Sequence, residues 1–437
     1  MAMWAGRTLR LIVATFTGVA LATALSMASA NPVSASTGTD ANVGIDFHQW
    51  RAPLDFLAGR FAGTRPAAAG LVIGRPAGTV DYTDPTPGTT APYDYATWTS
   101  PTHRMGFGAT QLVASWNATT PAGTWLQVEM SGTTNSGTHT KWYVMGRWAS
   151  GDTDVHRTSV PDQADATGDV SVDTFESATG VTLTTYQLRV TLYRSAGSAA
   201  TPTLRMVGAM GSAIPDRFDV SASPLGGAEG ITLPVPLYSQ NIHSGQYPQY
   251  DGGGEAWCSP TSTEMVVEYW GRHPSTAQLG WVDPSYADPS VDVAARGTYD
   301  YDYQGTGNWP FNAAYAASYG LDAHITRLHS LDELESYVRR GIPVVTSQSF
   351  EASELAGANY STSGHLMVVV GFTKTGDVIV NDPASSSDPA VRNVYQRHQF
   401  ETVWLRTERP LPDGGVGGGS GGVAYIITPH GMPLPPA

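Results

Sequence analysis

Residues 364–382 read Gly-His-Leu-Met-Val-Val-Val-Gly-Phe-Thr-Lys-Thr-Gly-Asp-Val-Ile-Val-Asn-Asp. Residues 366–372 are one apolar run and 378–381 another, with turn-forming residues between them. That pattern predicts an antiparallel hairpin. The returning strand brings Asp382 to within a few residues of register with His365. An imidazole and a carboxylate then share one sheet edge, where the carboxylate can fix the ring tautomer and stabilise an imidazolium. Upstream, residues 260–270 read as a helix ended by Gly271, and 310–319 as a second stopped at Gly320. Ser330-Leu-Asp-Glu333 is a capping box that opens a third, to about residue 340. Strand-like runs at 342–348 and 424–428 complete the set, with a Gly-rich loop, 413–422, before the last. Helices first and strands afterwards predict an α+β domain over 231–430.

The chain has a single cysteine, Cys258, in Gly252-Gly-Gly-Glu-Ala-Trp-Cys-Ser-Pro-Thr-Ser-Thr-Glu264. One cysteine forms neither an internal disulfide nor a multi-cysteine metal site. Ser259 is a capping residue type and Pro260 fits a first helical position, which places Cys258 at or just before a helix N-terminus. The dipole and free N–H groups there favour a thiolate over a thiol. A nucleophilic thiolate needs a base, and the base needs an orienting group. Of the eleven histidines, His365 stands out because it opens an apolar strand. The order Cys258, His365, Asp382 follows. Acyl transfer also needs an oxyanion donor. Gln240, at the end of Val235-Pro-Leu-Tyr-Ser-Gln240, is the candidate, together with the backbone N–H of Cys258.

Ahead of this region the pattern is one of strands. Residues 186–193 set Tyr186, Leu188, Val190 and Leu192 against Gln187, Arg189, Thr191 and Tyr193. Leu126, Val128 and Met130 share one face, and 142–148 alternate Trp142, Val144, Gly146 and Trp148 against Tyr143, Met145 and Arg147. Period-two patterning with Gly, Pro, Asn and Asp punctuation predicts an antiparallel β-sandwich over 44–215. Residues 216–230 lose the periodicity and read as a linker. Residues 1–30 read as a signal peptide: Arg7 and Arg10, then an apolar run, then the small-residue site Ala28-Ser-Ala30. A short polar leader, 31–43, follows. The chain is therefore expected to be secreted and extracellular.

The composition narrows the partners. There are 24 basic against 38 acidic residues, a formal net charge of −14. A nucleic-acid binder carries a basic footprint, so that class is excluded, and an anionic membrane is a poor partner for the same reason. The spaced carboxylates of 283–292 lack the regular spacing of a calcium loop and read as a solvated loop, with no metal. No cofactor is implied.

Four segments carry a family resemblance: Val235-Pro-Leu-Tyr-Ser-Gln240, Trp257-Cys-Ser-Pro-Thr-Ser262, Gly364-His-Leu-Met-Val-Val-Val-Gly371 and Val380-Asn-Asp-Pro383. Over about 231–430 the chain resembles the peptidase C39-like group of papain-like cysteine proteases. The resemblance implies a papain-like fold, with Cys258 as nucleophile, His365 as base, Asp382 as orienter and Gln240 in the oxyanion hole. The expectation is a secreted cysteine hydrolase, a C39-like peptidase that cleaves peptide or amide bonds in a peptide or protein substrate. Two alternatives stand beside it. One is a cell-wall peptide amidase or transpeptidase using the same triad. The other is a catalytically silent papain-like protein whose β-sandwich binds a glycan or a protein at a cell surface.

Overall fold

The computed structural model describes residues 43–86 and 88–436. The signal peptide expected at 1–30 lies outside the described residues, as does the leader apart from its last residue. Among the described residues, no helix is long and apolar enough to cross a membrane.

The N-terminal half is built from two antiparallel seven-stranded sheets. In the first, Gln111–Thr119 and Thr203–Ala213 are central, and the hairpin Gly168–Ser171/Thr174–Ser177 lies at one edge. In the second, Leu183–Ser195 is central, between Thr124–Thr134 and Thr90–Thr99. Tyr186, Leu188, Val190 and Leu192 are fully buried and join Leu112, Trp116 and Val207 of the first sheet in one apolar cluster. The period-two pattern therefore marks the face that leaves water, the main source of stabilisation.

One expected face is corrected. In Tyr143–Trp148 the buried residues are Tyr143, Met145, Gly146 and Trp148, with Val144 and Arg147 half-buried, so the alternation breaks between Met145 and Gly146. The pairing with Thr124–Thr134 slips between Val144 and Gly146. Such a bulge adds one residue and turns the following side chains to the other face.

The C-terminal half has a six-stranded antiparallel sheet. Its order is Leu321–Arg327, Val423–Pro429, Val344–Phe350, Thr362–Phe372, Val378–Asn381 and Arg392–Tyr395. The helix Cys258–Tyr269 packs on this sheet, with Met265, Val266 and Val267 in the same core as Val368–Val370. Besides the single helical turn Thr276–Leu279, two longer helices were not foreseen, Pro289–Thr298 and Arg397–Leu405. The first corrects the reading of 283–292 as a solvated loop: Asp292 lies inside that helix and is fully buried. The Gly-rich loop 413–422 supplies Val416–Gly418, which pairs with Glu408–Pro410.

Residues 216–230 are bound along the C-terminal half. Ser223 N–H donates to Glu401, Gly226 and Ala228 N–H groups donate to Glu335 Oε2, and Ala228 is fully buried. The two halves also share side chains. Phe311 packs against Trp116 and Trp148, with ring centroids 6.1 and 5.4 Å away. Phe47 stacks on His324 at 4.1 Å.

Candidate active site

Two close backbone approaches bring the functional segments together. Residues 230–233 cross the 364–382 hairpin: Gly230 N–H donates to Phe372 O, Phe372 N–H to Ile231 O, and Leu233 N–H to Val370 O. A Cβ on Gly371 would stand 2.2 Å from Ile231 O, so only glycine admits this crossing. The crossing delivers residues 235–240 to the hairpin. There Gln240 N–H donates to Pro383 O at 2.9 Å. The second approach is at Gly254, where a Cβ would meet Gln240 O at 2.3 Å. It seats the thiol-bearing loop on the Gln240–His243 turn.

Cys258 is the first residue of its helix, with Trp257 as N-cap and no side chain capping it. The sequence reading put this start near Pro260. Pro260 instead occupies the third helical position, where the missing N–H leaves no intrahelical bond unmade. Ser259 does not cap; its hydroxyl shares a 3.0 Å hydrogen bond with Tyr425 OH. The first-turn N–H groups at Cys258 and Ser259 thus lack intrahelical acceptors, which is the arrangement that favours an anion. Cys258 is half-buried.

His365 and Asp382 meet as the hairpin predicts. The strands pair Phe372 with Val378 and Val368 with Asn381, with a one-residue slip at Val370. His365 Nε2 lies 2.8 Å from Asp382 Oδ1, and both residues are buried. The same imidazole lies close enough to Cys258 for the sulfur to add to its electrostatic surroundings. With Nε2 committed to the carboxylate, Nδ1 is the nitrogen left to face sulfur. Burial works against the imidazolium, but the Asp382 charge, with Cys258 behind it, outweighs burial and holds His365 up at about 10. Asp382 shows the reverse balance. Burial raises it, yet His365, Tyr395 and Tyr360 together keep it below the usual carboxylate value.

The Asp382 carboxylate makes four hydrogen bonds. Oδ1 takes His365 and Ala384 N–H at 3.0 Å; Oδ2 takes Tyr360 OH at 2.9 Å and Tyr395 OH at 2.7 Å. Burial, with the Asp382 charge beside them, pushes both phenols up, so both remain donors. The two tyrosines were absent from the sequence reading. They stand 22 and 13 residues from Asp382 on other elements, and no local pattern connects them. Tyr395→Phe is expected to cost about 2 kcal/mol in urea unfolding, the worth of one hydrogen bond to a charged group. It should lower kcat/KM less than about tenfold, because Tyr360 still holds Oδ2.

Gln240 is buried between the thiol loop and the Asp382 loop. Its Nε2 donates to Glu255 O at 2.7 Å, and Oε1 is buried without a partner. An amide nitrogen has two N–H groups, so one remains uncommitted.

All four residues singled out in the sequence therefore lie in one neighbourhood. Residues 46–212 match the family described as the peptidase C39 N-terminal domain, and residues 232–411 match the peptidase C39-like family. A crystal structure of a candidate C39-like peptidase from Bacillus anthracis aligns with 17% identity over 45% of this chain and 96% of that one, with a TM-score of 0.27. No curated protein matches the chain.

Proposed function

Because the chain belongs to the peptidase C39-like family, we propose that it is a secreted cysteine peptidase that cleaves peptide or amide bonds through Cys258, His365 and Asp382. The observation that carries this reading is a buried imidazole bonded to a fourfold-bonded carboxylate, with a helix-start sulfur close beside it. In the proposed cycle the Cys258 thiolate attacks the scissile carbonyl carbon, and the resulting oxyanion takes hydrogen bonds from Cys258 N–H and the second Gln240 N–H. The imidazolium of His365 gives its proton to the leaving amine. Water, deprotonated by the neutral imidazole, then opens the thioester and releases the acid. Asp382 stabilises the imidazolium and is not itself protonated. We read the 231–430 half as papain-like, because the nucleophile starts a helix packed on an antiparallel sheet that bears base and orienter. The leading segment 1–30 makes export the proposed destination.

The test is alkylation of Cys258 by iodoacetamide across pH 4–9. Labelling at pH 6 should be faster than for a free thiol and should fall to the free-thiol rate in His365→Ala. Equal, ordinary rates in both proteins would sink the catalytic reading and favour the silent, surface-binding alternative. Turnover of casein-like peptides against muropeptides then separates a peptidase from a cell-wall amidase.

A further inference from the structure

The N-terminal domain reaches the segment that packs on the thiol loop. Its edge hairpin pairs Ser171 with Thr174, so Val172 and Asp173 form the turn. Val172 sits at φ 56°, in the left-handed region, which is strained for a β-branched side chain. Strain of that kind persists only where the surroundings over-determine the conformation, and it gathers at functional positions. What the turn achieves is to place Asp173 at the start of the helix Trp309–Ser318 in the other half. Asp173 Oδ2 accepts from Trp309 N–H at 2.6 Å, and Oδ1 accepts from Thr174 Oγ1 at 2.9 Å. Asn308 caps the same helix through Phe311 N–H, so the cross-domain carboxylate supplies a second cap.

Further contacts grip the chain just before that helix. Arg157, fully buried, donates to Arg296 O at 2.7 Å and Tyr299 O at 3.3 Å. Ser159 N–H donates to Asp300 Oδ1, and Tyr301 N–H to Arg157 O. Residues 299–309 are thus fastened at both ends by the N-terminal half. Their middle touches the thiol loop: Thr306 Oγ1 donates to Ala256 O at 3.2 Å, and its N–H donates to Asp251 Oδ2 at 3.0 Å. Tyr303, half-exposed between these points, is raised by burial first, and the charges that add to it include both Asp173 and Cys258.

We propose that the N-terminal domain is a working part of the substrate cleft, and that Asp173 is a positioning residue that fixes the 299–309 segment as the wall beside Cys258. The proposal rests on the peptidase reading and extends it: an extended peptide, longer than the scissile residue alone, is gripped by a wall that one domain supplies and the other holds. Nothing in this role asks Asp173 to touch the reacting atoms. Burial pushes its carboxyl up to about 7, against the two donated hydrogen bonds. A neutral amide at this position can therefore accept from Trp309 in its place.

The experiment uses the full chain with Asp173→Ala and Asp173→Asn. Three quantities are read: the rate of iodoacetamide labelling, the rate of labelling by an E-64-type peptidyl epoxide, and amide hydrogen exchange across 299–309. For Asp173→Ala the expected result is iodoacetamide labelling within about twofold of the parent, epoxide labelling about tenfold slower, and exchange in 299–309 about tenfold faster. Asp173→Asn should restore the last two. Unchanged exchange, or unchanged epoxide selectivity despite faster exchange, overturns the proposal. So does equal damage from Asn and Ala, which marks a merely structural role. Ordinary thiol rates in the parent overturn the peptidase reading instead, while the exchange data still report on the wall.

Discussion

Cys258→Ala is expected to abolish hydrolysis, with a loss of at least about four orders of magnitude in kcat, while the fold persists. The size follows from what the sulfur alone supplies. His365 and Gln240 can bind, orient and exchange protons, but without a nucleophile they leave water to attack an unactivated carbonyl. The sequence holds no second thiol to take over. The fold persists because the position is undemanding. Cys258 is half-buried at the first residue of its helix, alanine is the best helix former, and no hydrogen bond of the Asp382 network ends on sulfur. Unfolding in urea should shift by less than about 0.5 kcal/mol. Substrate affinity should survive, so the variant is expected to retain a bound peptide that the parent destroys. The measurement is the rate of amine release from a peptide substrate by parent and variant, with circular dichroism beside it. Residual turnover above about one per cent of the parent would show that another group performs the attack.

How much of this was readable before the structure depends on where each interaction is local. The hairpin that joins His365 to Asp382 was legible because strand, turn and return lie within 19 residues of chain. The helix start at Cys258 was legible from Ser259 and Pro260 as residue types of a first turn, although Ser259 does not cap and Pro260 stands third in the helix. What the sequence did not disclose lies across long separations. The strand Leu321–Arg327 was missed because every residue in it is buried. Its alternation of Leu321, Ala323 and Ile325 with Asp322, His324 and Thr326 is present, but the polar face meets the other half instead of water. Asp322 pairs with Arg51 at 2.7 Å, and His324 is driven down to about 3 by burial, so it stacks on Phe47 as a neutral ring. The same cause hid the role of 216–230. Its Gly and Ser content is that of a tether, but its backbone donors are used by Glu335 and Glu401, residues that carry no mark of that pairing. Tyr360 and Tyr395 belong to this class as well. A phenol that serves a buried carboxylate looks, in the sequence, like any tyrosine near an apolar run.

The second large effect is expected at the carboxylate. Asp382→Asn should lower kcat by about two to three orders of magnitude although it removes a single charge. The surroundings allow the amide no good orientation. With Nδ2 toward Tyr360 and Tyr395, donor faces donor on that side. With the oxygen there instead, Nδ2 faces Ala384 N–H and donates to His365 Nε2. That bond places the remaining ring proton on Nδ1, the nitrogen needed to accept from sulfur. The base is then held in the wrong tautomer. Charge works the same way. Burial alone lowers His365; it is Asp382 that carries it to about 10. Removing that charge leaves a neutral ring at pH 7, so iodoacetamide labelling at pH 6 should fall toward the free-thiol rate. The stability difference between parent and variant follows by linkage. His365 is raised on folding, so its contribution is complete below about 6.5 and is lost as pH rises through about 10. Asp382 is lowered on folding, so its contribution is present above about 3.8 and is lost as pH falls through its folded value. The two windows overlap around neutrality, where the parent should exceed Asp382→Asn by about 2 kcal/mol. The gap should close toward pH 10 and again below pH 4. Urea unfolding at pH 3.5, 7 and 10 measures it. A gap that is constant with pH would mean that His365 and Asp382 do not form the buried ion pair on which the proposed chemistry depends.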